Sequence, residues 1–269
     1  INAYGDYPDL YELKRNYLSS LAAKKVEGGY KMGLPLCLGT YELAPLWHGF
    51  FTSLGVSVEF SPFSNKAIYE LGQFTIPSDT ACYPAKLMHG HVIKLCEDGV
   101  DGIFYPCLPY NLDEKADNHY NCPIVAYYPE LLKSNVDALE KIPFFYPYLN
   151  VNDKGQLKKE LYECFGKVLS VSKKQVNAAV DDGFNALDDY KNFVKTEGEK
   201  AVKYARENNL RILILAGRPY HIDPEVCHNI DKLARSLGFV VVSEDSVCHL
   251  TKRKDISVKV LNQWTYHSR

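Results

Sequence analysis

Three cysteines of this chain stand at the ends of predicted secondary-structure elements, where a thiol can face a ligand. Cys107 follows a predicted buried strand, Cys82 immediately precedes a predicted helix, and Cys122 immediately precedes a second predicted strand. Open parallel sheets bind ligands beyond the carboxyl ends of their strands, and we expect Cys107 to be partly exposed there. A helix N-terminus favours the thiolate, which is the metal-binding form of cysteine. The three thiols are therefore candidate metal or cofactor ligands.

The plain alternative is that these cysteines are inert, because free cysteine is among the most buried residue types in proteins. Cys37, Cys96 and Cys164 lie inside apolar periodic segments, and we interpret them as core residues. Cys227 and Cys248 stay undecided. None of the eight cysteines forms a C-x-x-C pair, and a chain of 269 residues is long for a disulfide framework, so we expect reduced thiols.

Basic and imidazole side chains offer weaker signals. Arg218 and His221 follow a predicted strand and could bind an anion such as a phosphate or a carboxylate. The surrounding residues lack the G-x-G-x-x-G and G-K-[ST] patterns of nucleotide sites. His89 and His91 are two positions apart on a predicted helix, so their side chains point in different directions and shared metal ligation is disfavoured.

Helical and strand patterns alternate along the chain, which indicates a parallel α/β fold. Helices are predicted at residues 10–25, 41–54, 66–72, 83–97 and 224–237. Strands are predicted at residues 31–38, 56–60, 100–105, 123–127, 211–216 and 239–243. We predict two Rossmann-like lobes with parallel sheets, joined by a largely helical segment at residues 157–208. Residues 1–150 form the N-terminal lobe with Cys82 and Cys107, and residues 151–269 form the helical connection with a second, truncated lobe.

Composition narrows the classes of partner. The formal net charge is −2, which gives no basic surface for a nucleic acid. The longest apolar stretch, at residues 212–216, is far shorter than the roughly 20 residues that span a bilayer. The first residues carry no signal-peptide pattern, so we expect a cytoplasmic protein with no membrane partner.

Four motifs resemble a known family. They are IPSDTACYPAKLMHGH at residues 76–91, GVDGIFYPC at 99–107, NHYNCP at 118–123 and GRPYHIDPE at 217–225. The first two are similar to the cysteine motifs of 2-hydroxyacyl-CoA dehydratases. The last two are similar to one branch, the large CoA-substrate-specific enzyme activases, in which this region is a domain of unknown function. The resemblance covers residues 30–269.

The resemblance implies an iron–sulfur role. Relatives fold as α/β lobes around a [4Fe–4S] cluster or a double cubane cluster, and thiolates are the usual ligands of such clusters. An ATP-driven activase supplies one low-potential electron for dehydration of an acyl-CoA. Cys82 and Cys107 match the first two ligands, and Cys122 is a candidate third ligand. A further cysteine motif is expected downstream, so this segment alone could lack the cluster and is expected to have no turnover.

Three hypotheses remain open from the sequence. The first is an iron–sulfur electron-transfer module, whose partners would be ATP-binding activase modules of the same parent chain and an acyl-CoA or small-molecule substrate. The second is a non-catalytic binding or docking domain that keeps the family fold. The third is a zinc or anion site built from Cys and His.

Overall fold

The computed structural model describes residues 7–24, 26, 29–113 and 119–251, and every structural statement below concerns these residues. The helices are α1 Leu10–Ala22, α2 Thr40–Ser53, α3 Lys66–Gly72, α4 Tyr83–Glu97, α5 Pro123–Asn135, α6 Lys154–Phe165, α7 Lys173–Glu207, α8 Ile230–Ser236 and α9 Glu244–Val247. The strands are β1 Lys31–Leu34, β2 Ser57–Phe60, β3 Gly102–Phe104, β4 Phe144–Phe145, β5 Arg211–Leu215 and β6 Phe239–Ser243.

The first sheet has the order β2-β1-β3-β4, and all of its strands are parallel. Side chains alternate between its faces, as the neighbours Ile103 and Phe104 show. Phe104 packs in a core with residues of α2, α6 and α7, whereas Ile103 packs in a core with residues of α4 and α5. Helices therefore cover both faces of this sheet, as parallel strands require.

The second sheet pairs β5 with β6, again in parallel. Val240 and Val242 of β6 are fully buried against Leu10 of α1 and Ala201 of α7. The outer strand β5 is more open, and its Ile214 is 53% exposed. The predicted α/β class with parallel sheets is confirmed within the described residues.

Helix α7 runs beside both sheets. Its 35 residues extend about 50 Å at 1.5 Å per residue. Near its start, a Cβ on Gly183 would lie 2.7 Å from the carbonyl oxygen of Leu46, so glycine is needed where α7 crosses α2. Further along, a Cβ on Gly198 would lie 2.0 Å from the carbonyl oxygen of Ser246. The predicted helical connection is thus a packing element of both sheets, while the division into two lobes at residue 150 stays a prediction.

One predicted strand is wrong. Residues 123–127 begin helix α5, whose buried positions include Ala126, Tyr128 and Leu132. The apolar pentapeptide resembles a strand, but a proline at the first helical position suits a helix start, and the burial pattern over the whole segment has helical spacing. Cys122 therefore precedes a helix and not a strand. The predicted helix at 224–237 is also shorter than expected, since only Ile230–Ser236 is α-helical.

Among the described residues, the structure contains no helix that is both long and apolar enough to span a bilayer.

Candidate functional site

Two helices begin with a cysteine whose side chain is not used for capping. Cys82 is the N-cap of α4 and Cys122 is the N-cap of α5, and neither side chain bonds to the amides of its own helix. Cys82 is exposed and Cys122 is half-buried. Their thiols are thus available to an external ligand, at the helix ends where the backbone amides favour negative charge.

The loop before α5 is fastened to the segment that follows β3. The side-chain amide of Asn121 donates to the carbonyl oxygen of Leu108 at 2.8 Å, and its backbone amide donates to the carbonyl oxygen of Pro109 at 3.0 Å. These two bonds hold Cys122 beside the carboxyl end of the first sheet. Asn118, which begins this motif in the sequence, lies outside the described residues.

Cys107 lies beyond β3 but is fully buried, so the expectation of a partly exposed thiol is wrong. Its backbone continues the sheet by pairing with Tyr148, which draws the residue inward. Burial raises the pKa of Cys107 to about 12, the carboxylate of Glu130 adds to the rise, and Tyr148 opposes it. In the protein without a ligand, Cys107 is therefore a neutral thiol.

Cys37 is a core residue, as predicted, and it also lies at the same edge of the sheet. It follows β1, is 2% exposed, and its Sγ donates to the carbonyl oxygen of Pro84 at 3.1 Å. Burial raises its pKa well above the ordinary value, and the charges of Asp223 and Cys82 contribute. The strand predicted at residues 31–38 ends at Leu34, so Cys37 lies in the loop after the strand and not within it.

A buried tyrosine lies among these thiols. Tyr105 is 4% exposed, and within the described structure its hydroxyl has no hydrogen-bond partner. Its pKa is raised well above the ordinary value by burial first, and then by the nearby ionisable groups Cys37, Cys107, Tyr128 and Cys122. A buried hydroxyl without a partner costs about 1–3 kcal/mol, so this position favours an acceptor that the protein itself does not supply.

A second tyrosine, Tyr220, lies near both N-cap cysteines, Cys82 and Cys122. Burial raises the pKa of Tyr220, Arg218 lowers it, and both Cys82 and Cys122 raise it. Tyr220, Cys122 and Arg218 also line one small pocket, together with Gly39 and Glu42. Cys82 and Cys122 therefore share a neighbour at Tyr220, whereas Cys107 and Cys122 share a neighbour at Tyr105.

Arg218 and His221, the two residues of the predicted anion site, have different roles in the structure. The Arg218 guanidinium bonds to the hydroxyl of Tyr220 at 3.3 Å and reaches the thiol pocket. The Nδ1 atom of His221 accepts from the backbone amide of Arg218 at 3.0 Å. The His221 ring thus stabilises the turn Pro219–Ile222, while Arg218 faces the pocket.

The side chains of His89 and His91, both on α4, form hydrogen bonds with hydroxyl groups. His91 contacts Ser61 at 2.7 Å through Nδ1 and Ser64 at 2.8 Å through Nε2. His89 contacts Thr75 at 2.7 Å and Tyr128 at 3.0 Å. Burial lowers the pKa of both rings to about 4, against a small opposing effect of Asp223 on His91, so both are neutral at pH 7.

Among the described residues, no three His, Cys, Asp or Glu side chains lie close enough together to hold a single metal ion. Cys82 and Cys122 share the neighbour Tyr220, and Cys107 and Cys122 share the neighbour Tyr105. Their role as ligands of one group stays a prediction.

Comparison with known proteins gives one match. The model of a family described as CoA enzyme activase uncharacterised domain matches residues 31–247, which include all four cysteines of the site. No curated protein and no solved structure matches the chain.

Proposed function

Because the chain belongs to the family of the CoA enzyme activase uncharacterised domain, we propose that it supports an iron–sulfur cluster for low-potential electron transfer. The single observation that carries the proposal is the unpartnered hydroxyl of Tyr105, buried among cysteine side chains at the carboxyl edge of the first sheet. A bound group with sulfur acceptors would satisfy that hydroxyl, and hydrogen bonds to sulfur are a known determinant of cluster potential.

Four cysteines could serve as ligands of such a group. Cys82 and Cys122 present thiols at two helix N-termini, Cys107 lies near Tyr105, and Cys37 lies near Cys82. Thiolates are the usual ligands of both the [4Fe–4S] cluster and the double cubane cluster. When bound, the cluster would accept and release one electron. The chain's own residues would hold it, donate a hydrogen bond from Tyr105 and exclude water on the side of Cys107.

The partners follow from the same proposal. ATP-binding activase modules of the parent protein would supply the electron, and an acyl-CoA or small-molecule substrate would receive it. The exposed N-cap Cys82 lies on the accessible side of the site. We propose a cytoplasmic location for this chemistry, because low-potential thiolate clusters require a reducing compartment.

Anaerobic reconstitution with iron and sulfide tests the proposal on the native-length protein. We expect bound iron and a charge-transfer absorption band, both reduced in Cys82→Ala, Cys107→Ala and Cys122→Ala. Cys37→Ala tests whether Cys37 is a further ligand beside Cys82, Cys107 and Cys122. Cys164→Ala is the matched control, because Cys164 lies on α6 in the core on the opposite face of the sheet. A native-length protein that takes up no iron would overturn the proposal.

One observation favours a second candidate function. Cys107 is fully buried, and its high pKa keeps it neutral, which is the state of a structural cysteine. A docking domain that keeps the family fold without a cluster would have this property. In that case the wild-type protein would take up no iron and Cys107→Ala would only lower stability, whereas iron in the wild type that is lost in this variant would favour the electron-transfer function.

A further inference from the structure

Arg218 lies on the loop that follows β5 of the second sheet. This loop approaches the thiols at the edge of the first sheet. The residue follows β5 and lines the same pocket as Cys122 and Tyr220. Its Nη1 bonds to the Tyr220 hydroxyl at 3.3 Å, and its backbone amide is fixed by His221. The cation is thus held by a side-chain contact and by a backbone contact on the same turn.

We infer that Arg218 is a positioning residue that places one positive charge beside the sulfur of Cys122 and thereby raises the reduction potential of a cluster bound there. The inference rests on the proposed function and deepens it, since it assigns regulation of the potential to a residue outside the cysteine motifs.

The electrostatic argument gives the sign. A cluster gains one negative charge when it accepts an electron, so a nearby cation stabilises the reduced state more than the oxidised state. A pocket partly shielded from water strengthens this effect. Arginine is always protonated in proteins, so the guanidinium stays charged. It lines the same pocket as Cys122 and can therefore act on a group bound to that sulfur.

An opposing charge lines the same pocket. Glu42, in the first turn of α2, accepts a hydrogen bond from the side-chain amide of Asn111 at 2.8 Å. Its carboxylate disfavours the reduced state. The pocket therefore contains one group that raises the potential and one that lowers it.

This pair of charges allows a test with two opposite outcomes. In reconstituted native-length protein we expect Arg218→Met to lower the midpoint potential and Glu42→Gln to raise it. Arg218→Lys should show a smaller decrease than Arg218→Met, because it keeps the charge but loses the planar fork. The readouts are a potentiometric titration and the iron content of each variant.

The matched control is Arg211→Met. Arg211 lies at the opposite end of β5, with its guanidinium 4.4 Å from the ring centroid of Phe239, and its loss removes the same net charge. We expect its midpoint potential to equal that of the wild type. If Arg218→Met retains iron and its potential equals the wild-type value, the inference is overturned.

Two other outcomes are also decisive. If Arg218→Met binds no iron, the neutral variant Arg218→Gln replaces it, and an iron-loaded Arg218→Gln protein with the wild-type potential would overturn the inference. If the wild-type protein binds no iron, the proposed function fails first and the inference fails with it. If all variants take up iron and the changes at Arg218 and Glu42 leave the midpoint potential at the wild-type value, the proposed function stands and only the role of Arg218 is wrong.

Discussion

Cys82 and Cys122 occupy the same backbone position in two different helices. Each is an N-cap residue in extended conformation, with φ −64° and ψ 152° for Cys82 and φ −63° and ψ 151° for Cys122. A proline lies in the first turn of both helices, where its fixed φ suits the helix start. Residues that cap helices usually do so with a side-chain oxygen, so a thiol at this position is free for another purpose.

The four cysteines of the site should differ sharply in reactivity. In protein without bound metal, we expect Cys82 to react quickly with iodoacetamide because it is exposed, and Cys37 and Cys107 to react only after unfolding because they are 2% and 0% exposed. Mass spectrometry of a time course measures the order of labelling. Rapid labelling of Cys107 in the folded protein would contradict its burial.

Acidification should weaken the fold through His91. Burial lowers the folded-state pKa of this ring to about 4, whereas an unfolded histidine has a pKa of about 6.5. Between these values the unfolded state binds more protons, so stability decreases as the pH falls from 6.5 toward 4, by up to about 3 kcal/mol.

Urea unfolding at pH 7 and pH 5 measures this effect. We expect His91→Gln to reduce the difference between the two pH values, and comparison with the wild type cancels contributions from other groups. His228→Gln is the control because that side chain is exposed. An unchanged pH dependence in His91→Gln would show that His91 is not the source.

The buried ion pair between Arg15 and Asp231 should couple α1 to α8. Their side chains are 9% and 0% exposed, and Arg15 also donates to the carbonyl oxygen of Ile222 at 3.1 Å. Arg15→Met leaves Asp231 unpaired in the core, so we expect a loss of about 4 kcal/mol in the free energy of unfolding.

A double-mutant cycle checks this expectation. The variant with both Arg15→Met and Asp231→Leu should be more stable than the sum of the two single changes predicts. The exposed pair of Lys66 and Glu70 is the control, and its loss should cost about 0.5 kcal/mol or less. Additive single changes at Arg15 and Asp231 would contradict direct coupling.

The contact between α3 and α4 should not tolerate a side chain at Gly90. A Cβ there would lie 1.7 Å from the carbonyl oxygen of Ile68, which belongs to backbone and cannot move aside cheaply. We expect Gly90→Ala to cost about 3 kcal/mol, measured by urea unfolding.

The same substitution elsewhere provides the control. Gly155 lies in the first turn of α6, where the nearest atom to an added Cβ is a side-chain oxygen of Asp153 at 3.3 Å. Alanine is the better helix former, so Gly155→Ala should be neutral or stabilising by up to about 1 kcal/mol. If the two variants have equal stability, the close helix contact at Gly90 is wrong.

Local patterns in the sequence determined most helices, the direction of the sheets and the position of three thiols at element ends. These features depend on side-chain periodicity and on caps, which are properties of neighbouring residues. The segment at residues 123–127 was assigned wrongly because five apolar residues suit a strand or a helix equally, and only packing of Ala126, Tyr128 and Leu132 against α4 and β3 selects the helix.

Tertiary structure alone decided which residues meet. Cys37 and Cys107 lie 70 positions apart, yet they follow neighbouring strands, and both are close enough to Tyr105 to influence its pKa. Arg218 reaches Cys122 from another sheet. Such contacts arise because burial of apolar surface by the sheets and α7 fixes where each loop lies. The pattern of residues along the chain does not show which distant loops will meet.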